Sequence, residues 1–393
     1  MSQLGYMDKL LDGVEVEWKE LWQVTIWDKK FNAVERDKQP RVIKYHYFLA
    51  KDLKSLVLET GNVKLLTTNL SNLWTSEELA GEKVSEGEVI AIPWGGNPVV
   101  QYYKGKFLTT DNRIATSADT DLLNNKFLYY YLLSQIDLIS SFYRGSGIKH
   151  PSMSDVLHIS IPIPPLNVQA EIVRILDTFT ELTAELTAEL TARQQQYEYY
   201  RKQLLTFENI EVKWSALEDV VKLQRGKRLI KSQLEMSGDY AVYQNSMKPL
   251  GYYHESNVKS DTTFIISAGA AGEVGYSDVD FWAADDVYFL LTPDNINSKF
   301  LYYYLLTQQY KILAQVRRAS IPRLSRTVIE RMQIPIPPLA EQKRIVSILD
   351  KFDALTTSLT EGLPREIELR QQQYEYYRDL LLSFPKPEVV AHD

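Results

Sequence analysis

Residues 168–207 read VQAEIVRILDTFTELTAELTAELTARQQQYEYYRKQLLTF, forty residues with neither Pro nor Gly. Strong helix formers dominate, so one continuous helix of roughly 60 Å is expected at about 1.5 Å per residue. Ile172, Leu176, Phe179, Leu186, Leu190, Tyr197, Tyr200, Leu204 and Phe207 step by threes and fours, and Thr183 and Arg193 interrupt this stripe without ending it. Such a seam needs a partner helix. The same chain supplies one: residues 341–384, EQKRIVSILDKFDALTTSLTEGLPREIELRQQQYEYYRDLLLSF, nearly repeat the stretch, with Leu349, Phe352, Tyr374 and Tyr377 on the corresponding seam.

The repeat extends beyond the helices. KFLYYYLL at 126–133 returns at 299–306, and IPIPPL at 161–166 returns at 334–339, both at an offset of 173. RQQQYEYYR at 193–201 returns at 370–378, where the offset is 177. The extra four residues fall in EGLPRE, where Gly362 and Pro364 predict a helix break and restart. EVEW at 15–18 resembles EVKW at 211–214, and the final FPKPEVV resembles the FENIEV before Trp214. These echoes suggest a cyclic layout with neighbouring termini. The expected division is a first globule over 1–160, a spacer helix over 161–211, a second globule over 212–333 and a second spacer helix with tail over 334–393.

Between the helices lie short β-branched and aromatic runs split by Gly, Asn and Asp, such as GEVIAIPWGGN, QYYKGKFLTT and DVYFLLT. These read as strands and turns, each set followed by one helix at KFLYYYLL. The IPIPPL segments should be extended, with Pro165 and Pro338 launching the long helices. The fold class is therefore mixed α/β: two α/β globules separated by an antiparallel pair of long coiled-coil helices, with a pseudo-twofold internal repeat.

A length of 393 residues gives ample chain for more than one core. The absence of Cys excludes disulfides and thiolate metal sites and suits a reducing cytosol. Acidic residues stand in the N-terminus where a signal peptide needs an apolar core, and no apolar run approaches a membrane span. A soluble cytoplasmic protein is expected. The net charge of −7 argues against nucleic acid, but the charge is unevenly placed. Residues 222–231 carry Lys222, Arg225, Lys227, Arg228 and Lys231 with no acid; 311–331 carry Lys311, Arg317, Arg318, Arg323, Arg326 and Arg331 against Glu330 alone. Residues 29–44 carry Lys29, Lys30, Arg36, Lys38, Arg41 and Lys44 against two acids. An anionic partner feels local patches rather than the whole-chain charge.

Catalytic signatures fail. Gly226-Lys227-Arg228 and Gly105-Lys106-Phe107 lack the frame of a phosphate-binding loop. GAAGEVG at 269–275 runs into YSDVDFW rather than a helix, so it reads as a hairpin turn. Asn97-Pro98 is followed by Val-Val, not by the Pro-aromatic pair of amino-methyltransferases, and the five His show no metal-ligand spacing. Each globule instead ends in a comparable basic loop, YRGSGIKHPSMSDVL (143–157) and RRASIPRLSRTVI (317–329), aligned at Ile148 and Ile321. Bases and hydroxyls there suit phosphate or base-edge contact, which makes Arg144, Ser146, Lys149, His150, Arg317, Arg318, Arg323 and Arg326 candidates, with Arg225, Lys227, Arg228 and Lys231 from the other patch. TAEL stands in tandem at 183–186 and 187–190. Adding or removing one such unit changes a rigid helix by about 6 Å, or one to two base pairs of duplex, so the helix is a candidate ruler.

Two dissimilar regions interleaved with two repeated ones, the paired IPIPPL and IVRILD/IVSILD segments, the paired RQQQYEYYR helices and the tandem TAEL together resemble the specificity (S) subunit of Type I restriction-modification enzymes, over essentially the whole chain. TAEL and the LDGVEVEW start look most like the IC subfamily. The resemblance implies two target-recognition domains, each reading one half of a bipartite, asymmetric double-stranded DNA site. It implies helices that set the unread spacer and dock two methyltransferase subunits through the seam residues named above, and two ATP-dependent restriction subunits beyond them. No cofactor is implied for this chain; S-adenosylmethionine, ATP and Mg belong to the partners. The alternatives are a non-catalytic coiled-coil scaffold that binds proteins, and a self-contained DNA enzyme, which the absent motifs disfavour.

Overall fold

The computed structural model describes residues 11, 13–207, 212–235, 237–318, 320–358 and 360–385. The sequence readings that rest on the N-terminal MSQLGYMDKL, on residues 208–211 of FENIEV, on the C-terminal KPEVV and on His392 lie outside them. The chain divides into two compact units, Met1–Glu185 with Glu368–Asp393, and Leu186–Ile367. The sequence division cuts the chain serially; the units instead each combine one globule with a part of both long helices.

In the first unit a six-stranded sheet runs in the order Thr25–Trp27, Asn112–Ser117, Ser85–Pro93, Gln101–Thr109, Val63–Leu66, Trp74–Thr75. Only the Gln101–Thr109 and Val63–Leu66 pair is parallel. The helix Asn125–Ser134 carries KFLYYYLL; Asn124 caps it, accepting from the Lys126 and Phe127 amides, and Phe127, Leu128, Tyr130, Tyr131 and Leu132 are buried. Tyr density here is core, as the pattern predicts.

In the second unit four antiparallel strands run in the order Lys222–Arg225, Val287–Leu291, Thr262–Ile266, Val274–Ser277. The turn between the last two contains GAAGEVG, a hairpin connection as expected. A separate sheet holds Gly251–Tyr253, Tyr240–Tyr243 and Trp282–Ala283. Helix Ser298–Thr307, capped by Asn297, buries Phe300, Leu301, Tyr303, Tyr304 and Leu305.

The repeated segments do the same work in both units. EVEW and EVKW are the partners of IPIP: Glu17–Glu20 pairs antiparallel with Ser160–Ile163, placing Trp18 opposite Pro162, and Lys213–Ala216 pairs with Gln333–Ile336, placing Trp214 opposite Pro335. Proline withholds a donor, so each pair stops at two strands. A fully buried glutamine then ties the long helix to the globule. Gln169 accepts from the Asn124 amide at 2.8 Å and donates to Leu122 O and Pro164 O; Gln342 accepts from the Asn297 amide at 2.8 Å and donates to Asn295 O and Pro337 O. Tyr130 and Tyr303 donate to Asp177 and Asp350 one helix away, at 2.6 and 2.7 Å. In the first unit the Trp18 indole also donates to Pro385 O at 2.9 Å, closing the sequence distance between residues 18 and 385.

The first long helix spans Leu166–Leu204, starting two residues before the expected stretch and ending three before its end. Pro165 O accepts the Val168 and Gln169 amides, which sets the start, and buried Phe207, edge-on to Phe300 at 6.4 Å, draws the chain off the helix line. The second forms two helices, Leu339–Thr357 and Leu363–Leu381, and Gly362 takes φ +82° at the break the sequence predicts. In the first unit Phe179 stacks on Tyr377 at 5.2 Å beside buried Leu176 and half-buried Tyr374. In the second, Tyr197 and Tyr200 stack on Phe352 at 5.9 and 5.7 Å beside buried Leu349. The early part of each helix thereby meets the late part of the other, the order of an antiparallel pair. Leu186 and Leu190, in the TAEL units, are half-buried. No described helix is long and apolar enough to cross a membrane.

Candidate DNA interface

Both basic loops fold as short hairpins. Tyr143–Arg144 pairs with His150–Pro151, and Arg317 exchanges both backbone hydrogen bonds with Arg323 at 2.9 and 3.1 Å. Each hairpin seats on a turn at the end of the central sheet through one repeated bond. The Gly96 amide donates to Lys149 O at 3.1 Å, and the Gly269 amide donates to Pro322 O at 3.1 Å. Donors and acceptors are both 173 residues apart. Gly96 has φ +102° and Gly269 φ +81°, a conformation that favours glycine at both turns.

A second repeated bond brings the other basic patch to the same sheet end. The Gly226 amide donates to Val287 O, as the Asp28 amide donates to Ile114 O, each at 2.9 Å. The residues that follow are Lys227-Arg228 in the second unit and Lys29-Lys30 in the first. Arg225 donates through Nε to Asp285 O at 2.5 Å, and the Ser267 amide donates to Asp286 O at 2.7 Å, while Leu324 N reaches Ser267 O at 2.8 Å. The structure so gathers Arg225, Lys227 and Arg228 with the hairpin of Arg317, Arg318 and Arg323. All six are exposed. None of them makes an ion pair with a carboxylate among the described residues, so their charge is available to an anion. Arg326 is engaged by Glu330 at 2.7 Å and donates to Leu223 O, and Lys231 opens the 3-10 turn Lys231–Gln233.

In the first unit Arg144, Ser146, Lys149 and His150 all lie exposed on the hairpin. Arg144 is held by Asp155 at 2.9 Å. His150 Nδ1 donates to Trp94 O at 2.7 Å and its ring lies against the Trp94 indole at 5.2 Å between centroids. Arg113, only 5% exposed, lays its guanidinium over the same Trp94 indole, at 3.9 Å from the ring centroid. Its Nη1 donates to Asp111 at 2.9 Å, and its Nε is buried without an acceptor among the described residues. A Cβ on Gly95 would meet the Ile148 and His150 side chains at 2.9 and 3.1 Å, so the hairpin packs closely on this turn and a larger residue there would push those side chains aside. Asp28, buried beneath, receives the Tyr47 hydroxyl and the Ile114 amide; burial raises its pKa, against those two bonds and the charges of Lys29 and Arg113. Sequence reasoning misses Trp94, Gly95, Gly96 and Arg113, and leaves Lys29 and Lys30 in a general basic stretch. For Lys29 and Lys30 the signal, their alignment with Lys227-Arg228, appears only once the strands are paired, whereas Gly96 already matches Gly269 at the 173-residue offset.

Among the described residues no group of three or more His, Asp or Glu is placed to hold a metal ion. The arrangement presents cations, hydroxyls and small backbone turns at one end of each sheet, an equipment for binding an anion rather than transforming it.

The family model described as Type I restriction modification DNA specificity domain matches residues 50–193 and again 209–369. The EcoR124I/EcoR124II type I restriction enzyme specificity subunit of Escherichia coli is 35% identical over the whole of both chains. A putative type I restriction enzyme specificity subunit of Haemophilus influenzae is also 35% identical, over 96% of this chain and 98% of its own. Among solved structures, the type I restriction-modification S subunit from M. genitalium shares the fold with a TM-score of 0.67 at 20% identity, over 96% of this chain and 98% of that one.

Proposed function

This chain belongs to the Type I restriction-modification DNA specificity family as a non-catalytic specificity subunit, and from that premise we propose that each unit reads one half of a bipartite, asymmetric DNA site with its hairpin end. The observation that carries the reading is the hairpin seated on a glycine turn, present in both units at the same 173-residue offset and flanked in both by a basic pair. Arg317, Arg318, Arg323, Arg225, Lys227 and Arg228 contact one half; Arg144, Ser146, Lys149 and His150, with Lys29 and Lys30 added, contact the other. Phosphate contacts hold the register and hydroxyl and histidine groups reach base edges.

The long helices set the unread spacer; of the seam residues expected to dock methyltransferase subunits, Leu176, Leu349 and Tyr197 are buried and cannot meet a partner, so the docking falls to exposed Tyr200 and Tyr377 with their neighbours Tyr199 and Tyr376. Two methyltransferase and two restriction subunits complete the complex in the cytoplasm, and S-adenosylmethionine, ATP and Mg are theirs. The methylation pattern of genomic DNA from cells expressing this chain with its methyltransferase partner tests the proposal. A two-part motif with an unread spacer is expected; an assembled complex that leaves no motif overturns it. Removing one TAEL unit should keep both half-sites and shorten the spacer by one to two base pairs, from about 6 Å of helix. Altered half-site bases would sink the ruler.

A further inference from the structure

Ile148 and Ile321 stand at the tips of the two hairpins, 173 residues apart, and are 70% and 53% exposed. Each is a large β-branched side chain that leaves more than half of its surface in water on a basic ribbon. The surroundings are built to keep it there. In the first unit the bare backbone of Gly95 lies under one Ile148 methyl, and the Gly96 bond to Lys149 O fixes the next residue. In the second the Gly269 bond to Pro322 O fixes the residue after Ile321. The flanks carry Arg144, Lys149 and His150 on one ribbon and Arg317, Arg318 and Arg323 on the other. A duplex phosphate backbone is the partner whose charge matches those flanks, and an apolar tip between them reaches past the phosphates into the groove.

We propose that Ile148 and Ile321 each contact the C5-methyl group of a thymine in the major groove, one in each half-site. This rests on the reading of both units as DNA readers. A two-stranded ribbon fits the major groove, and the thymine methyl is the apolar feature displayed there. The pairing also accounts for the retention of one residue type at matching tips while the residues around it differ: Gly147 and Lys149 flank the first, Ser320 and Pro322 the second. A shared isoleucine meets a shared feature, so both half-sites contain the base pair it touches.

The test uses the chain assembled with its methyltransferase subunits and a duplex carrying the site found from its methylation pattern. Each thymine is replaced in turn by deoxyuridine, which removes the methyl and keeps the pairing. One replacement in each half should weaken binding by the parent about fivefold, the order expected for one buried methyl group. Ile148→Ala should erase the effect of the replacement in one half only, and Ile321→Ala that in the other. Both variants should weaken binding to unmodified DNA roughly tenfold without changing its salt slope, since every phosphate remains engaged. Ile→Val at either tip should restore most of the affinity. The proposal is overturned if no deoxyuridine position couples to either isoleucine, or if either Ala variant binds unmodified DNA as the parent does. A parent complex that discriminates no sequence at all would instead refute the reading of the units.

Discussion

In the first unit two extra strands, Val63–Leu66 and Trp74–Thr75, extend the edge of the central sheet beyond Gln101–Thr109; in the second that edge ends at Val274–Ser277, and a separate three-stranded sheet is built from 240–243, 251–253 and 282–283. Beneath this difference lies one four-stranded core with the same strand order, one Asn-capped Tyr-rich helix, one buried glutamine and one hairpin on a glycine turn. Stability is invested in what is common. The variation is placed at a sheet edge, where adding or omitting strands leaves the core ladder intact. Recognition surfaces can diverge on such a plan without the frame being rebuilt.

If the frames are equivalent, matched core truncations should act alike. Phe127 is 0% and Phe300 1% exposed, and each packs edge-on against a phenylalanine from the end of a long helix, Phe384 and Phe207 at 6.1 and 6.4 Å. Phe127→Ala and Phe300→Ala should each destabilise their unit by about 3–5 kcal/mol, measured by denaturant unfolding. A gap of more than about 2 kcal/mol between them would break the equivalence, since matched cavities carry matched penalties.

The hairpins differ more than the cores. Arg144 is tied to Asp155, whereas Arg317 has no carboxylate partner among the described residues. Replacing Arg317, Arg318 and Arg323 by Ala should weaken DNA binding and flatten its salt slope by about one unit for each phosphate no longer neutralised. Arg144→Ala should flatten it less than Arg317→Ala, because the Asp155 carboxylate already neutralises part of that charge. Equal slopes for the two single variants, read from binding titrations over a salt series, would show that the ion pair is broken on DNA.

What the sequence discloses follows from how local each pattern is. The long helices, the break at Gly362 and the core role of KFLYYYLL are written in contiguous residues and are legible without a structure. So are the two hairpin loops, through the shared offset at Ile148 and Ile321. The pairing of EVEW with IPIP is not, because Glu17 and Ile163 are joined only by a long-range ladder. The common sheet is hidden for a different reason. Val89–Ile92 and Thr262–Ile266 conserve burial but not identity, and strand pairing asks only for burial. Lys29-Lys30 fails to announce its match to Lys227-Arg228 because it lies 198 residues away rather than 173, ahead of the segments that differ.

That same position separates the units most finely. Where the second unit has Gly226, its Cα pressed so close to Ala283 and Ala284 that a Cβ would stand 2.2 Å from Ala284 O, the first has buried Asp28. Burial raises the Asp28 pKa above its ordinary value of 3.8. The folded state therefore holds this proton more tightly than the unfolded chain does. Its contribution to stability is fully present below the unfolded pKa and is lost as pH rises through the folded one. Asp28→Asn removes the titration while keeping an oxygen for the Ile114 amide. The variant should gain on the parent as pH rises from below 3.8 towards neutrality, because only the parent carries a buried group that must give up its proton over that range. Unfolding midpoints taken across the acidic range decide it. A difference that stays flat with pH would mean that the Tyr47 hydroxyl and the Lys29 and Arg113 charges offset burial completely, leaving the first unit as insensitive to acid at this position as glycine makes the second.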